Sequence, residues 1–321
     1  MISTIKYSIH LLFLAQSPEE ATVIFSEASL SVLNACLGFI MFGIALDLSI
    51  QDFKRLRKFP KASIVGVASQ FVVLPFLTWL LVITLQPQAG LALGMILVAA
   101  CPGGNTSNFM THLSKGNAAL SITLTTIATA SAVLLTPLNF GFWSSLVPGL
   151  TGMAAGFSLS PGHMLGVIAV IILLPLFLGM ATAASFPSFT AMIRKPVRVF
   201  SLLIFSLFII IALVNNWHLF KTYGKEVFSL VIVHNLIALS AGYGLARVSN
   251  LGEYNARAIA LETGLQNSGL GLVLIFNFFG GAGGMALIAA CWGVWHLISG
   301  LILALFWSNR PPKMDIDGLT D

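Results

Sequence analysis

The sequence predicts an all-α membrane protein with nine transmembrane helices. Three observations carry that reading. Of the 321 residues, 57% are hydrophobic and only 8% charged, apolar runs of spanning length recur along the whole chain, and no acidic residue occurs from Phe53 to Lys225. A water-soluble chain of this length would leave too much apolar surface exposed. Period-2 alternation is missing from the apolar runs, which excludes a membrane barrel. The net charge of +5 comes without a basic run interleaved with aromatics, so nucleic acid is not a partner. Cys36, Cys101 and Cys291 are odd in number, lack C-x-x-C spacing and sit in apolar context, which reads as small buried side chains.

Cutting the chain where charges, Pro or Gly clusters interrupt the apolar runs gives the elements in order. Residues 1–28 form an extracytoplasmic segment; its apolar run Ile9 to Ala15 is too short to span and reads as interfacial in preference to a signal peptide. The first span, 29 to 47, ends at Asp47 ahead of a basic cluster. The second, 62 to 85, runs to Gln86-Pro87 and carries Gln70. The third, 90 to 111, and the eighth, 256 to 279, are interrupted. The fourth, 118 to 140, starts beyond Lys115-Gly116-Asn117 and places Ser121 and Thr125 on one face at i, i+4. The fifth, 162 to 185, stops before Pro187. The sixth, 197 to 215, follows Arg194-Lys195-Pro196. The seventh, 225 to 247, holds His234-Asn235 at its middle, where a satisfied core histidine is the preferred reading over a cavity residue. The ninth, 283 to 307, carries Trp295-His296. Residues 29–308 thus make one transmembrane domain, surrounded by lipid, and 309–321 a cytoplasmic tail. No hydrophilic stretch is long enough for a separate soluble domain.

Basic side chains set the orientation. Alternate connections hold Lys54, Arg55, Arg57, Lys58, Lys61, Lys115, Arg194, Lys195, Arg198, Arg247, Arg257, Arg310 and Lys313 on one side, against Lys6, Lys221 and Lys225 on the other. This asymmetry predicts an N-terminus outside, a C-terminus in the cytoplasm, and residence in the plasma (inner) membrane.

The two interruptions are the functional signal. In the third span the run Leu91 to Ala100 meets Cys101-Pro102-Gly103-Gly104-Asn105-Thr106-Ser107-Asn108; in the eighth, Glu262-Thr263-Gly264-Leu265-Gln266-Asn267-Ser268-Gly269 precedes the run Leu270 to Phe278. Pro and Gly release backbone groups that lipid does not satisfy and a wet cavity does. Gln70 precedes the first break by about the interval at which Asn235 precedes the second. The breaks enter from opposite sides, so the expected relation is an inverted repeat, about 29–140 and 162–307, whose first half lacks one helix.

Glu262 is the one acid deep within a span, where an unpaired carboxylate costs several kcal/mol. No Lys or Arg within a span is placed to pair with it. Either a bound cation compensates its charge or a proton does. Ser107, Asn108, Ser121, Thr125, Gln70 and Gln266 supply neutral oxygens, and His and Cys do not cluster. One carboxylate among hard oxygens suits Na⁺ better than a divalent ion.

These residues resemble the bile acid:sodium symporter family. The resemblance rests on Phe42-Gly43-Ile44-Ala45-Leu46 leading to Asp52-Phe53, Pro102-Gly103-Gly104 with Ser107-Asn108, Gly116-Asn117 with Ala119-Leu120-Ser121, Glu262 with Gly264 and Gln266-Asn267-Ser268-Gly269-Leu270, and Val294-Trp295-His296 with Ser299-Gly300. It runs from about Leu33 to Trp307. The resemblance implies a panel domain, and a core domain in which the two broken helices cross. It implies one sodium site of Ser107, Asn108, Ser121, Thr125 and Glu262. A second would be made by the Gln70 and Gln266 side chains with main-chain oxygens near Glu262, Thr263 and Leu265. Two Na⁺ would be co-transported with a small organic anion. The anion would sit in the cleft at the free amides of Asn105, Thr106, Asn267 and Ser268, with His296 nearby. Asn105 and Leu297 depart from the residues common in the family, and both bear on the cleft.

An intramembrane enzyme is not expected. Glu262 has no second deep acid, His163, His218 and His296 share no metal-ligand spacing, and neither H-E-x-x-H nor G-x-S-x-G occurs. A channel or an uncoupled or proton-coupled transporter is the remaining alternative. Sterol-like, pantoate-like and keto-acid anions are all compatible with the cleft, and no feature specifies an oligomeric state.

Overall fold

The computed structural model describes residues 27–46, 58–150, 166, 169–215 and 217–312, and every regular element among them is helical. The predicted N-terminal segment up to residue 26, the basic residues Lys54, Arg55 and Arg57, the first residues of the fifth span and the tail from residue 313 lie outside the described residues.

Helix α1 is Glu27–Ala45. Helix α2, Pro60–Leu85, begins on a proline, whose missing amide hydrogen costs nothing in a first turn. It widens into a π-helical turn at Ser69–Val73, where the Leu74 amide reaches back to the Ser69 carbonyl. The cause is local: Pro75 offers no amide hydrogen to Phe71, so the α-helical ladder is already broken there and the turn can expand. A second Leu-Pro pair, Leu174-Pro175, follows a second π turn, Ala169–Leu173.

The third span is two helices, α3 (Ala89–Ala100) and α4 (Thr106–Leu113). Helix α5 is Ala118–Ser145, capped by the Asn117 side chain, which accepts from the Leu120 amide at 3.0 Å. Then come α6 (Leu174–Ser185), α7 (Pro187–Asn215) and α8 (Trp217–Val248). The eighth span is again two helices, α9 (Glu253–Gly264) and α10 (Ser268–Phe278), and α11 is Gly283–Ser308. Among the described residues, four stretches are long and apolar enough to cross a membrane unaided, Pro60–Leu85, Ala118–Ser145, Phe220–Val248 and Gly283–Ser308, and Ala89–Ala100, Leu174–Ser185 and Ser268–Phe278 are shorter apolar helices. The described residues are those of an all-helical membrane protein.

Helices α7 and α8 begin at Pro187 and Trp217, well before the cuts at 197 and 225. Charged Arg194, Lys195, Lys221 and Lys225 end a hydrocarbon crossing without ending a helix, because Lys and Arg are good helix formers.

Two groups of helices emerge from the packing. In one, α1 lies against α6 and α7, with Phe39 meeting Phe200 edge-on at 5.5 Å and Arg194 Nη2 donating to the Leu46 carbonyl at 2.9 Å. The other holds α2–α5 and α8–α11 around a dry centre that includes Leu91, Leu97, Leu274, Ile288 and Trp292. There α3 and α11 touch backbone to backbone, since a Cβ on Gly284 would stand 3.0 Å from the Gly90 carbonyl carbon.

Candidate functional site

The two breaks lie against each other. The Gly104 amide donates to the Leu265 carbonyl at 2.7 Å and the Asn267 amide to the Pro102 carbonyl at 2.8 Å, so Gly103 and Gln266 form an isolated antiparallel bridge. Each interruption thereby satisfies backbone groups that the other exposes. At this crossover the C-terminal ends of α3 and α9 meet the N-terminal ends of α4 and α10, which brings both kinds of partial helix charge to one place.

Glu262 sits in the last turn of α9 with 1% of its surface exposed. It is therefore helical, one step before the break and not inside it. Ser107 Oγ donates to its Oε2 at 2.5 Å, Thr125 Oγ1 lies 2.9 Å from both carboxylate oxygens, and Ser121 Oγ stands at 3.4 Å. Asn108 Oδ1 faces the same hydroxyls, 2.8 Å from Ser121 and 3.2 Å from Thr125. The structure thus gathers Ser107, Asn108, Ser121, Thr125 and Glu262 from α4, α5 and α9.

That cluster holds more lone pairs than protons. Thr125 has one hydroxyl proton and four acceptors within reach, the fourth being the Ser121 carbonyl at 3.0 Å. Three hydroxyl protons serve a carboxylate, an amide oxygen and a carbonyl. The nearest basic group along α9, Arg257, is ion-paired to Glu253 at 2.9 Å. No described Lys or Arg pairs with Glu262. A small hard cation fits this donor set, and the described residues hold no group of three or more His, Cys, Asp or Glu side chains of the kind that attracts transition metals.

Gln70, carried on the π turn and buried, is drawn to the same place. A Cβ on Gly103 would meet Glu262 Oε1 at 2.3 Å and Gln70 Nε2 at 2.8 Å, so only glycine allows both side chains to close over the bridge. Gln70 Nε2 has no hydrogen-bond partner, nor has Gln266 Oε1; Gln266 Nε2 donates to the Thr263 carbonyl at 2.8 Å. Ser69, beside Gln70, bonds Thr263 through their hydroxyls at 2.9 Å. Polar atoms without partners in a buried position are costly, and these two belong to the residues expected to form the second site.

The four amides expected to be free are corrected in two cases. Asn267 N–H is engaged by Pro102, and Ser268 N–H lies 2.9 Å from the Gln266 carbonyl, because antiparallel breaks pair with each other before any ligand arrives. Asn105 and Thr106 remain half-buried at the start of α4, and Asn105 Oδ1 and Ser268 Oγ lack partners. His296 is packed inside, its Nδ1 2.5 Å from the Trp292 carbonyl, and no hydrogen bond joins it to the crossover residues. His234 is a core histidine: Nε2 lies 2.7 Å from Thr78 Oγ1 and its ring is edge-on to Trp292.

Sequence reasoning missed the brace behind the crossover. Asn235 Nδ2 donates to the Gly264 carbonyl at 2.7 Å and its Oδ1 accepts from Ser299 Oγ at 2.6 Å; the only sequence signal was the spacing of Asn235 from the break. It also missed the tie made by Arg257, which donates to the carbonyls of Ser114 at 2.7 Å, Trp307 at 3.1 Å and Arg310 at 2.6 Å.

Comparison with known proteins identifies the family. The profile of the Sodium Bile acid symporter family matches residues 34–222. The uncharacterized sodium-dependent transporter YocS of Bacillus subtilis (strain 168) is 36% identical over 291 residues, covering 88% of this chain and 85% of that protein. The probable sodium/metabolite cotransporter BASS2, chloroplastic, of Oryza sativa subsp. japonica is 34% identical over 85% of this chain and 63% of its own length. The P3 protein of Mus musculus is 27% identical over 80% of this chain and 52% of its own length, so the chain spans less than two thirds of the rice and mouse proteins. The Bacillus and rice relatives are named as transporters and not as enzymes, and the chain belongs to the sodium bile acid symporter family.

Proposed function

We propose that this protein is a sodium-coupled symporter that imports a small organic anion by alternating access. Nine membrane crossings, with the N-terminus outside and the C-terminus in the cytoplasm of a cell whose plasma membrane it occupies, follow from the basic-residue asymmetry. Helices α1, α6 and α7 act as the panel, and the remaining helices form the core.

The observation that carries this reading is Glu262, a buried carboxylate with no basic partner among the described residues, surrounded by more oxygen lone pairs than protons at the point where two helices break. One Na⁺ is held there by Glu262, Ser107, Asn108, Ser121 and Thr125. A second is held by Gln70, Gln266 and main-chain oxygens near Glu262, Thr263 and Leu265. With both ions bound, the crossover turns from net negative to net positive, and an anion is then drawn to the half-buried start of α4 at Asn105 and Thr106, beside Asn267 and Ser268. His296 supports the cleft wall from within α11.

Coupling supplies the driving force. Two Na⁺ with one monoanion carry one net charge inward, worth about 2.3 kcal/mol per 100 mV. A tenfold sodium gradient adds about 1.4 kcal/mol per ion, and the total of roughly 5 kcal/mol concentrates a solute several-thousand-fold when coupling is tight. Sterol-like, pantoate-like and keto-acid anions are the candidate solutes. Purified protein screened by thermal shift against such anions, in Na⁺ and in K⁺, identifies the class, and uptake of the hit into proteoliposomes tests the coupling. Accumulation above equilibrium driven by an inward sodium gradient is the expected result. Simple equilibration makes the protein a channel or an uncoupled transporter, and accumulation that follows a pH gradient instead makes the carboxylate a proton carrier.

A further inference from the structure

The two outgoing half-helices of the crossover are not in equivalent surroundings. Helix α4, leading toward the basic end of the bundle, packs on α5, α9 and α11 and leaves one stripe open: Asn105 and Thr106 are half-buried, Phe109 is 61% exposed and His112 is exposed. Helix α10, leading to the opposite end, is covered. It packs on α1 as well as on α3 and α11, and every residue from Leu270 to Phe276 is buried.

The cover is fastened by one polar contact. Asn34 Nδ2 donates to Asn277 Oδ1 at 2.9 Å and Asn277 Nδ2 returns a bond to Asn34 Oδ1 at 2.7 Å, a reciprocal amide pair that joins α1 to α10. Asn277 Nδ2 also donates to the Val273 carbonyl one turn back, at 2.9 Å, which fixes its rotamer. Asn277 stands nine residues beyond the start of α10, about 13 Å from the crossover along the helix. Two amide side chains in apolar surroundings satisfy each other here, and separating α1 from α10 leaves both short of partners until water enters.

We propose that the Asn34–Asn277 pair is the latch that holds the outer mouth of the cleft shut while the basic, cytoplasmic mouth stands open along α4. The inference rests on the transport reading above, since it assigns the two mouths to alternating access. Opening outward requires both hydrogen bonds to break, and closing restores them.

A cysteine reporter tests it. In a background with Cys36→Ala, Cys101→Ala and Cys291→Ala, Val273→Cys sits on α10 beneath the latch and is labelled by a membrane-impermeant maleimide from outside proteoliposomes, in sodium-free potassium buffer. Labelling should be slow with both asparagines present and roughly five-fold faster with Asn34→Ala or Asn277→Ala, the factor that about 1 kcal/mol of net hydrogen bonding gives. The double variant should be no faster than the single ones, because each removes the same pair. Equal labelling in all four proteins overturns the latch. A second measurement covers variants that fold poorly: Asn34→Cys with Asn277→Cys should be joined in the folded protein by a short bifunctional thiol reagent, and failure to cross-link also overturns it. Because neither readout needs sodium or solute, a latch that behaves as described beside an absence of sodium-driven uptake would sink the transport reading alone.

Discussion

A single carboxylate decides how the crossover can work. Glu262 was legible in the sequence because no other acid lies deep within a span, and its hydroxyl partners Ser121 and Thr125 were legible from their i, i+4 spacing. Ser69 and the Asn235–Ser299 brace were not, since Ser and Asn within apolar helices commonly bond back to their own backbone and carry no pattern of their own. Gly103 was legible only as part of a break, and its room for Glu262 and Gln70 was not. Glu262→Gln should abolish sodium-dependent thermal stabilisation while leaving the melting temperature in potassium nearly unchanged; a sodium response retained in full removes the first site. Gly103→Ala forces a methyl group to 2.3 Å from Glu262 Oε1, and the carboxylate must leave its place. Its apparent sodium affinity, read by titrated melting, should fall at least tenfold, about 1.4 kcal/mol.

The elements were legible to different degrees. Hydropathy located the apolar helices, and Pro and Gly located both breaks, because burial in lipid tolerates no irregular backbone without a reason. Three features escaped. Helix ends at Pro187 and Trp217 were hidden by charges that do not stop a helix. The pairing of one break with the other is a long-range contact that no local pattern encodes. The π turns at Ser69–Val73 and Ala169–Leu173 leave only a Leu-Pro pair as their trace, which reads equally as a kink. The first π turn matters for the proposed second sodium site because it carries Gln70. Pro75→Ala restores the amide that the α-helical ladder lacks. The turn should then tighten and rotate Gln70 away from Gly103, which lowers sodium affinity several-fold at nearly constant thermal stability. An unchanged sodium titration would detach the π turn from the site.

At the scale of the whole molecule, Arg257 gathers the basic end. Its guanidinium is buried, pairs with Glu253, and caps the ends of α4 and α11 through the carbonyls of Ser114, Trp307 and Arg310, while Tyr243 stacks on Trp307 and bonds Glu253 at 2.6 Å. Arg257→Leu should destabilise the protein by about 3 kcal/mol, since charged hydrogen bonds contribute about 1.5–3 kcal/mol each and several carbonyls lose their donor. Arg257→Lys should recover less than half of that loss, as an ammonium cannot reach carbonyls spread across a planar fork. Denaturant melts in a fixed detergent check both, and a lysine variant as stable as the parent would reduce Arg257 to a simple charge.

The antiparallel bridge between Pro102–Gly104 and Leu265–Asn267 also bears on biogenesis. When the ribosome has released only the residues up to about 140, the donors and acceptors of the first interruption have no mate, and they must wait until residues near 266 emerge. The amino-terminal half is thus an incomplete membrane tenant that depends on its sequel. Co-expressed fragments split near residue 160 should reassemble into a sodium-responsive pair, and neither fragment alone should escape quality-control proteolysis.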